Sequence, residues 1–233
     1  MAAVKVQLCG ALAVLVDGRR VESELPGRQG RLLLGYLALN RLRTVERSEL
    51  VHALWPDGRD GGLAPLLSKL RRVLPLDGLR LRDARVDVEA ALDALHRAES
   101  ALAQGDAHRA WGPSQVALFT SARPLLAGED LPWLDEERRR LDDVHVRALE
   151  AYAAATLAIG GTELPAAVRS GRELTRREPF RESGWRILMQ ALAAEGNAAE
   201  ALHAYDRLRI LLRDELGVAP SAPTQDVHRA LLG

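Results

Sequence analysis

The chain has 233 residues, 47% of them apolar and 27% charged, with a formal net charge of zero. That balance predicts a packed core rather than disorder. The length suits one large domain or two small ones, and no apolar run approaches the ~20 residues of a membrane span. Leu and Ala dominate and aromatics make up 4%, which leans toward helix. The start, "MAAVKVQLCG", lacks the basic region and long apolar segment of a secretory signal. Cys9 is the single cysteine, so no internal disulfide forms and a reducing cytoplasm fits. The neutral total is uneven, with Lys and Arg in excess over the first 85 residues and Asp and Glu in excess after them. Such asymmetry suggests two modules with different partners.

In "VKVQLCG" (4–10), Val4, Val6 and Leu8 alternate with Lys5 and Gln7, the period of a half-buried strand. "ALAVLVDGRRVESEL" (11–25) continues the β-rich run, with Asp17-Gly18 as a hairpin turn. Then the period changes. In "PGRQGRLLLGYLALN", Leu32, Leu33, Tyr36, Leu37 and Leu39 predict a helix ending near Asn40. In "TVERSELVHALWPD", Thr44 to Arg47 read as extended, and Ser48 reads as the cap of a helix carrying Leu50, Val51, Leu54 and Trp55. Pro56 and Gly58 stop it, "GRDGG" is a turn, and Pro65 suits the first turn of the next helix, "LAPLLSKLRRVL" (63–74). Gly costs about 1 kcal/mol and an interior Pro ~3 kcal/mol relative to Ala, so Gly61, Gly62 and Pro65 hold off this helix until about Leu63. "LRLRDARVDV" (79–88) alternates again and predicts a hairpin joined at Asp83-Ala84.

From about residue 89 the pattern is helical, with breaks at Gly105-Asp106, Gly128, Gly160-Gly161, Pro179, Gly196-Asn197 and Gly217 to Pro223. "LAIGGTELPAAV" (157–168) and "LAAEGNAAEALH" (192–203) align with a shift of 35 residues. A repeat near that length, built of paired helices, predicts tetratricopeptide-like stacking. The expected organisation is an α+β module over 1–88 and an all-α module over 89–233.

On a helix, residues 63–74 place Leu63, Leu66, Leu67, Leu70, Val73 and Leu74 on one broad face. Ser68 and Arg72 lie opposite, flanked by Lys69 and Arg71, with no acid. Two readings fit: a solvated basic face on a structural helix, or a helix that enters the major groove. In the second, Arg pairs with guanine, Ser reaches base edges or phosphates, and Lys adds phosphate attraction.

The order of sheet, helix, "TVERSELVHALWPD", basic "LSKLRRVL" and hairpin resembles the winged helix-turn-helix of the OmpR/PhoB type. "GEDLPWLDEERRRLDDVHVRALEAYAAATLAIGG" and above all "ALHAYDRLRILLRDELGVAPS" resemble the bacterial transcriptional activator domain. The two halves in this order are similar to the Streptomyces antibiotic regulatory protein family of actinobacterial regulators. The resemblance implies a cytoplasmic, nucleoid-associated activator of biosynthetic gene clusters. It would bind direct repeats in double-stranded DNA as a homodimer and recruit RNA polymerase. It implies DNA contacts at Ser68, Lys69, Arg71 and Arg72 and a wing carrying Arg80 and Arg82. Two departures set this chain apart: the recognition helix is shortened at its start, and only "DA" joins the arms of the wing. They keep a second function open, a protein-interaction module whose winged domain no longer binds DNA.

Arg41, Arg43 and Arg47, with Arg28 and Arg31, are further phosphate anchors or ordinary surface charge. "DEERRRLDD" (135–143) reads as a solvated helix laced by i,i+4 pairs. Trp111, Trp133, Trp185 and Tyr205 read as helix-seam aromatics; Trp133, Trp185 and Tyr205 are also candidates to line a partner groove. The six histidines are scattered, and Asp142, Asp143 and His145 read as solvent-facing. No metal site, cofactor, phosphate loop or catalytic arrangement is expected.

Overall fold

The alternation of Val4 and Val6 becomes β1 (Val4–Gln7), which buries both valines. A computed structural model of the chain describes residues 3–57, 62–81 and 83–233. Packing divides the chain into two units, Met1–Leu92 with Thr120–Asp142, and Asp93–Phe119 with Asp143–Gly233.

In the first unit, β1 pairs antiparallel with β2 (Ala13–Val16), and β2 with β3 (Arg19–Arg20). Asp17 and Gly18 join β2 to β3 with φ of 49° and 82°. Positive φ at both central residues matches the twist of the paired strands, as the Asp-Gly pair predicts. The fourth strand, β4 (Ala84–Val86), lies parallel to β1, with Val4 opposite Ala84 and Val6 opposite Val86. The sheet order is β3-β2-β1-β4.

This corrects the expected hairpin over 79–88. Ala84 and Val86 are buried, so the sheet core takes them rather than a free ribbon. The reversal lies earlier, where the backbones of Asp77 and Arg80 bond each other at 3.0 and 2.9 Å with Gly78 at φ 62°. The chain turns helical at Asp87, whose carboxylate accepts the N–H groups of Leu8 and Cys9 at 2.9 Å. Burial, then the Asp87 charge, pushes the Cys9 thiol up to about 12.

Helix α1 (Gly27–Leu39) packs on this sheet, and α2 (Arg47–Leu54) and α3 (Leu63–Val73) pack against α1 in the same core. Helix α2 is capped by Glu46 rather than Ser48. The Glu46 and Glu49 side chains close a reciprocal capping box, which satisfies two backbone donors at once. Residues 120–142 belong to the same core. Leu126 N–H bonds Leu8 O at 2.9 Å and Gly10 N–H bonds Pro124 O at 2.9 Å. A Cβ on Gly35 of α1 would lie 2.6 Å from a Leu126 methyl, so α1 approaches this segment closely because residue 35 lacks a side chain. Trp133 meets Tyr36 edge-on at 5.0 Å and donates its indole N–H to Ala53 O.

Helices α4 (Asp87–Ala103), α5 (Ala107–Ser121) and α6 (Pro132–Ile159) contribute residues to both units. The second unit adds α7 (Leu164–Arg177), α8 (Glu182–Ala194), α9 (Ala198–Leu216) and α10 (Ala222–Leu231). Its core joins Val168, Trp185, Leu188, Leu192, Tyr205 and Leu208. A Cβ on Gly184 would come within 2.8 Å of Leu174, which is why α7 and α8 can pack closely. Gly217, at φ 67°, ends α9 with N–H bonds from Gly217 to Arg213 O and from Val218 to Leu212 O. The aligned segments 157–168 and 192–203 fall on two helix–turn–helix corners, at Gly160 and Gly196. Helix α10 is clipped on by Glu182, which accepts the N–H and hydroxyl of Ser221, and by His228 stacked on Tyr205 at 3.7 Å.

Asp142 and Asp143 are exposed, as expected, but His145 is buried. It shares the i, i+3, i+4, i+7 stripe of Leu141, Val144 and Ala148, so helical phase overrides its polarity. Among the described residues no helix is long and apolar enough to cross a membrane.

Candidate nucleic-acid interface

Helix α3 begins at Leu63 because Gly62 holds φ at 101°, a left-handed conformation that favours glycine. Leu63, Leu67, Leu70 and Leu74 are buried, and Leu66 and Val73 are half-buried. Each fully buried leucine contributes about 1.5–3 kcal/mol, enough together to anchor the helix by its apolar back. Ser68, Lys69, Arg71 and Arg72 are all exposed. The Arg71 guanidinium donates to Gly78 O at 3.0 Å. The side chains of Ser68, Lys69 and Arg72 have no hydrogen-bond or ion-pair partner among the described residues. Lys69 and Arg72 also rim an open groove of about 830 Å³, walled by Trp55, Leu66 and Val73.

The remaining candidate cations divide. Arg47 is exposed and has no such partner among the described residues. Arg43 is committed: its guanidinium grips the Glu49 carboxylate and reaches the Tyr36 hydroxyl at 3.4 Å, and its Nε donates to Asn40. The Arg43 bond, more than any other contact, holds the Glu49 carboxyl at about 2. Burial, then the bond to Glu49, pushes the Tyr36 hydroxyl up to about 12. Arg80 is half-buried and donates to the Thr44 hydroxyl. Arg41 pairs with Glu89 through bonds of 2.5 to 2.8 Å, and Arg28 pairs with Glu129 at 2.7 Å. Arg82 lies outside the described residues.

The Tyr36–Glu49–Arg43 network is the feature the sequence reading missed. Its signal is the Glu46-x-x-Glu49 spacing at a helix start, a capping-box pattern that places Glu49 within reach of the preceding turn. Of the aromatics proposed for a partner groove, Trp133 belongs to the core of the first unit, while Trp185 and Tyr205 belong to that of the second. Among the described residues no group of three His, Cys, Asp or Glu side chains is placed to hold a metal ion.

A small N-terminal sheet with the exposed basic helix α3 in the same unit, followed by a largely helical remainder, defines the class of molecule at hand. Residues 86–232 match the bacterial transcriptional activator domain, and the chain belongs to that family. It is 31% identical to the regulatory protein AfsR of Streptomyces coelicolor over 99% of its own length and 24% of that protein's. It is 27% identical to the transcriptional regulatory protein EmbR of Mycobacterium tuberculosis over 97% of its length and 62% of that protein's. The solved structure of M. tuberculosis EmbR in complex with a low-affinity phosphopeptide superposes with a TM-score of 0.80 at 25% identity, covering 100% of this chain and 65% of that one. These relatives bear out the resemblance to the Streptomyces antibiotic regulatory proteins. The chain spans about a quarter of the length of the AfsR relatives.

Proposed function

We propose that this chain is a DNA-binding transcriptional activator. Its N-terminal module, taken as residues 1–88, acts as a winged helix-turn-helix with α3 as the recognition helix. Ser68, Lys69, Arg71 and Arg72 face the major groove, and Arg47 and Arg80 sit on flanking phosphates. The tetratricopeptide-like helical module, 89–233, contacts RNA polymerase and joins two copies, so that direct half-sites recur about every 10–11 bp. The observation that carries this reading is the exposed, acid-free face of α3, with Lys69 and Arg72 unpaired among the described residues, behind which four leucines are buried. Unpaired cations on a rigid rod release counterions when they meet phosphates.

Fluorescence anisotropy on the upstream DNA of its own gene tests this. Binding is expected to fall steeply with salt, and replacing Arg71 and Arg72 together with Ala weakens it at least tenfold. Unchanged affinity in the double variant removes α3 from the interface.

One observation favours a second reading, a protein-interaction module. The 79–88 segment supplies β4 to the sheet rather than a hairpin, which removes a probe for the adjacent minor groove. A stable protein partner in a pull-down, with no DNA affinity at low salt, would select it.

A further inference from the structure

On α4, Arg97, Ser100 and Ala101 share one helix face, and Gln104, just past the helix end, continues its i, i+3, i+4, i+7 spacing. On α5, Arg109 and Pro113 stand one turn apart. With His96 these residues line a pocket of about 260 Å³ that lies wholly in the second unit. Its lining contains two guanidinium groups and no carboxylate.

Asp93, one turn before Arg97 on α4, is exposed and does not line the pocket, and two other nearby acids already hold partners. Glu99 accepts both arms of Arg147 at 2.9 and 2.7 Å, and Asp106 caps α5 by accepting the Arg109 backbone N–H at 2.9 Å. Neither the Arg97 nor the Arg109 guanidinium has a hydrogen-bond or ion-pair partner among the described residues. Elsewhere in this unit Arg172, Arg176, Arg181, Arg209 and Arg229 each pair with an acid. The Ser100 hydroxyl accepts from Gln104 at 3.2 Å, which leaves its own O–H free to donate.

Arg97 and Arg109 are both exposed, and an anion seated in the recess is attracted by both. The planar fork of Arg matches the oxygens of a tetrahedral oxyanion. The volume falls below the roughly 300–1,000 Å³ of drug-sized ligand sites, so the ligand is small. We propose that this pocket between α4 and α5 binds a phosphate group, either free or at the head of a small phosphomonoester, through Arg97, Arg109 and Ser100.

The test is thermal melting of the full chain, with sodium phosphate or glycerol phosphate titrated against sodium chloride at constant ionic strength. A saturable rise in melting temperature is expected, since a ligand that binds only the folded state stabilises it. Arg97→Gln with Arg109→Gln should raise the half-saturating concentration at least tenfold. Arg169→Gln, an exposed arginine on α7 that lacks such a partner among the described residues, should leave it unchanged. A rise with both anions identifies the free phosphate as sufficient, and a rise with glycerol phosphate alone identifies the ester. Should the double variant melt differently in chloride, calorimetric titration of the folded protein reads the same tenfold change directly. No saturable response to either anion, or an undiminished response in the double variant, overturns the site.

Discussion

The turn between α1 and α2 carries Arg41 and Arg43, and the outer face of α3 carries Lys69, Arg71 and Arg72. By charge alone the two clusters are alike. Their surroundings differ: Arg41 and Arg43 each close on a carboxylate, Glu89 and Glu49, whereas Lys69 and Arg72 have no ion-pair partner among the described residues, and Glu24, which shares their groove, is paired with Arg19. The first cluster holds elements together, whereas in the second Lys69 and Arg72 are left unpaired among the described residues. Counting arginines therefore says little about a nucleic-acid surface until the acids that reach them are known.

The largest effect expected from breaking this contrast comes from behind α3. Leu70 is fully buried, and Leu70→Ala should cost about 2–5 kcal/mol of stability, read as a lower urea midpoint, with DNA affinity lost alongside. Next in size are the single replacements on the α3 face. Arg72→Ala should weaken DNA binding more than Arg71→Ala, because Arg71 already gives a bond to Gly78 O. Each lost phosphate contact should lower the slope of log affinity against log salt by about 1. Equal losses would mean that the Gly78 bond opens in the complex.

Arg43→Ala should act differently. Its pair with Glu49 is about half exposed on the Arg side, so the change should cost only about 0.5–1 kcal/mol and leave the salt slope unaltered. A reduced slope would move Arg43 into the DNA-facing set. The subtlest effect is in acid. Glu49 sits at about 2 in the folded chain against an ordinary 4.5. Its contribution is complete above 4.5 and disappears as pH falls toward 2. Glu49→Gln should therefore lose less stability than the parent between pH 4.5 and 2, measured by denaturant melts across that range.

Much of this was legible in the residues. Asp17-Gly18 specified the β2–β3 turn, and Gly62 with Pro65 specified where α3 begins. The phase of its leucines specified which side faces out. The expected i,i+4 pairing of 135–143 appears as Arg140–Glu136, while Arg138–Asp135 and Arg140–Glu137 close at the i,i+3 spacing. These are short-range matters, set by backbone sterics and helical phase within about a turn or two.

The rest depended on residues far apart in the chain. Nothing in "DARVDV" says that β4 will lie beside Val4 and Val6 rather than fold back on 79–82. Nothing around Trp133 says that its ring will meet Tyr36, or that Leu126 will need Gly35 bare. Even the state of each cation was decided this way, since Arg41 meets an acid 48 residues on and Arg28 one 101 residues on. Local pattern determines which elements form and which face of each is apolar. Which charges are cancelled, and which stay unpaired, is decided when burial of those faces brings distant carboxylates within reach.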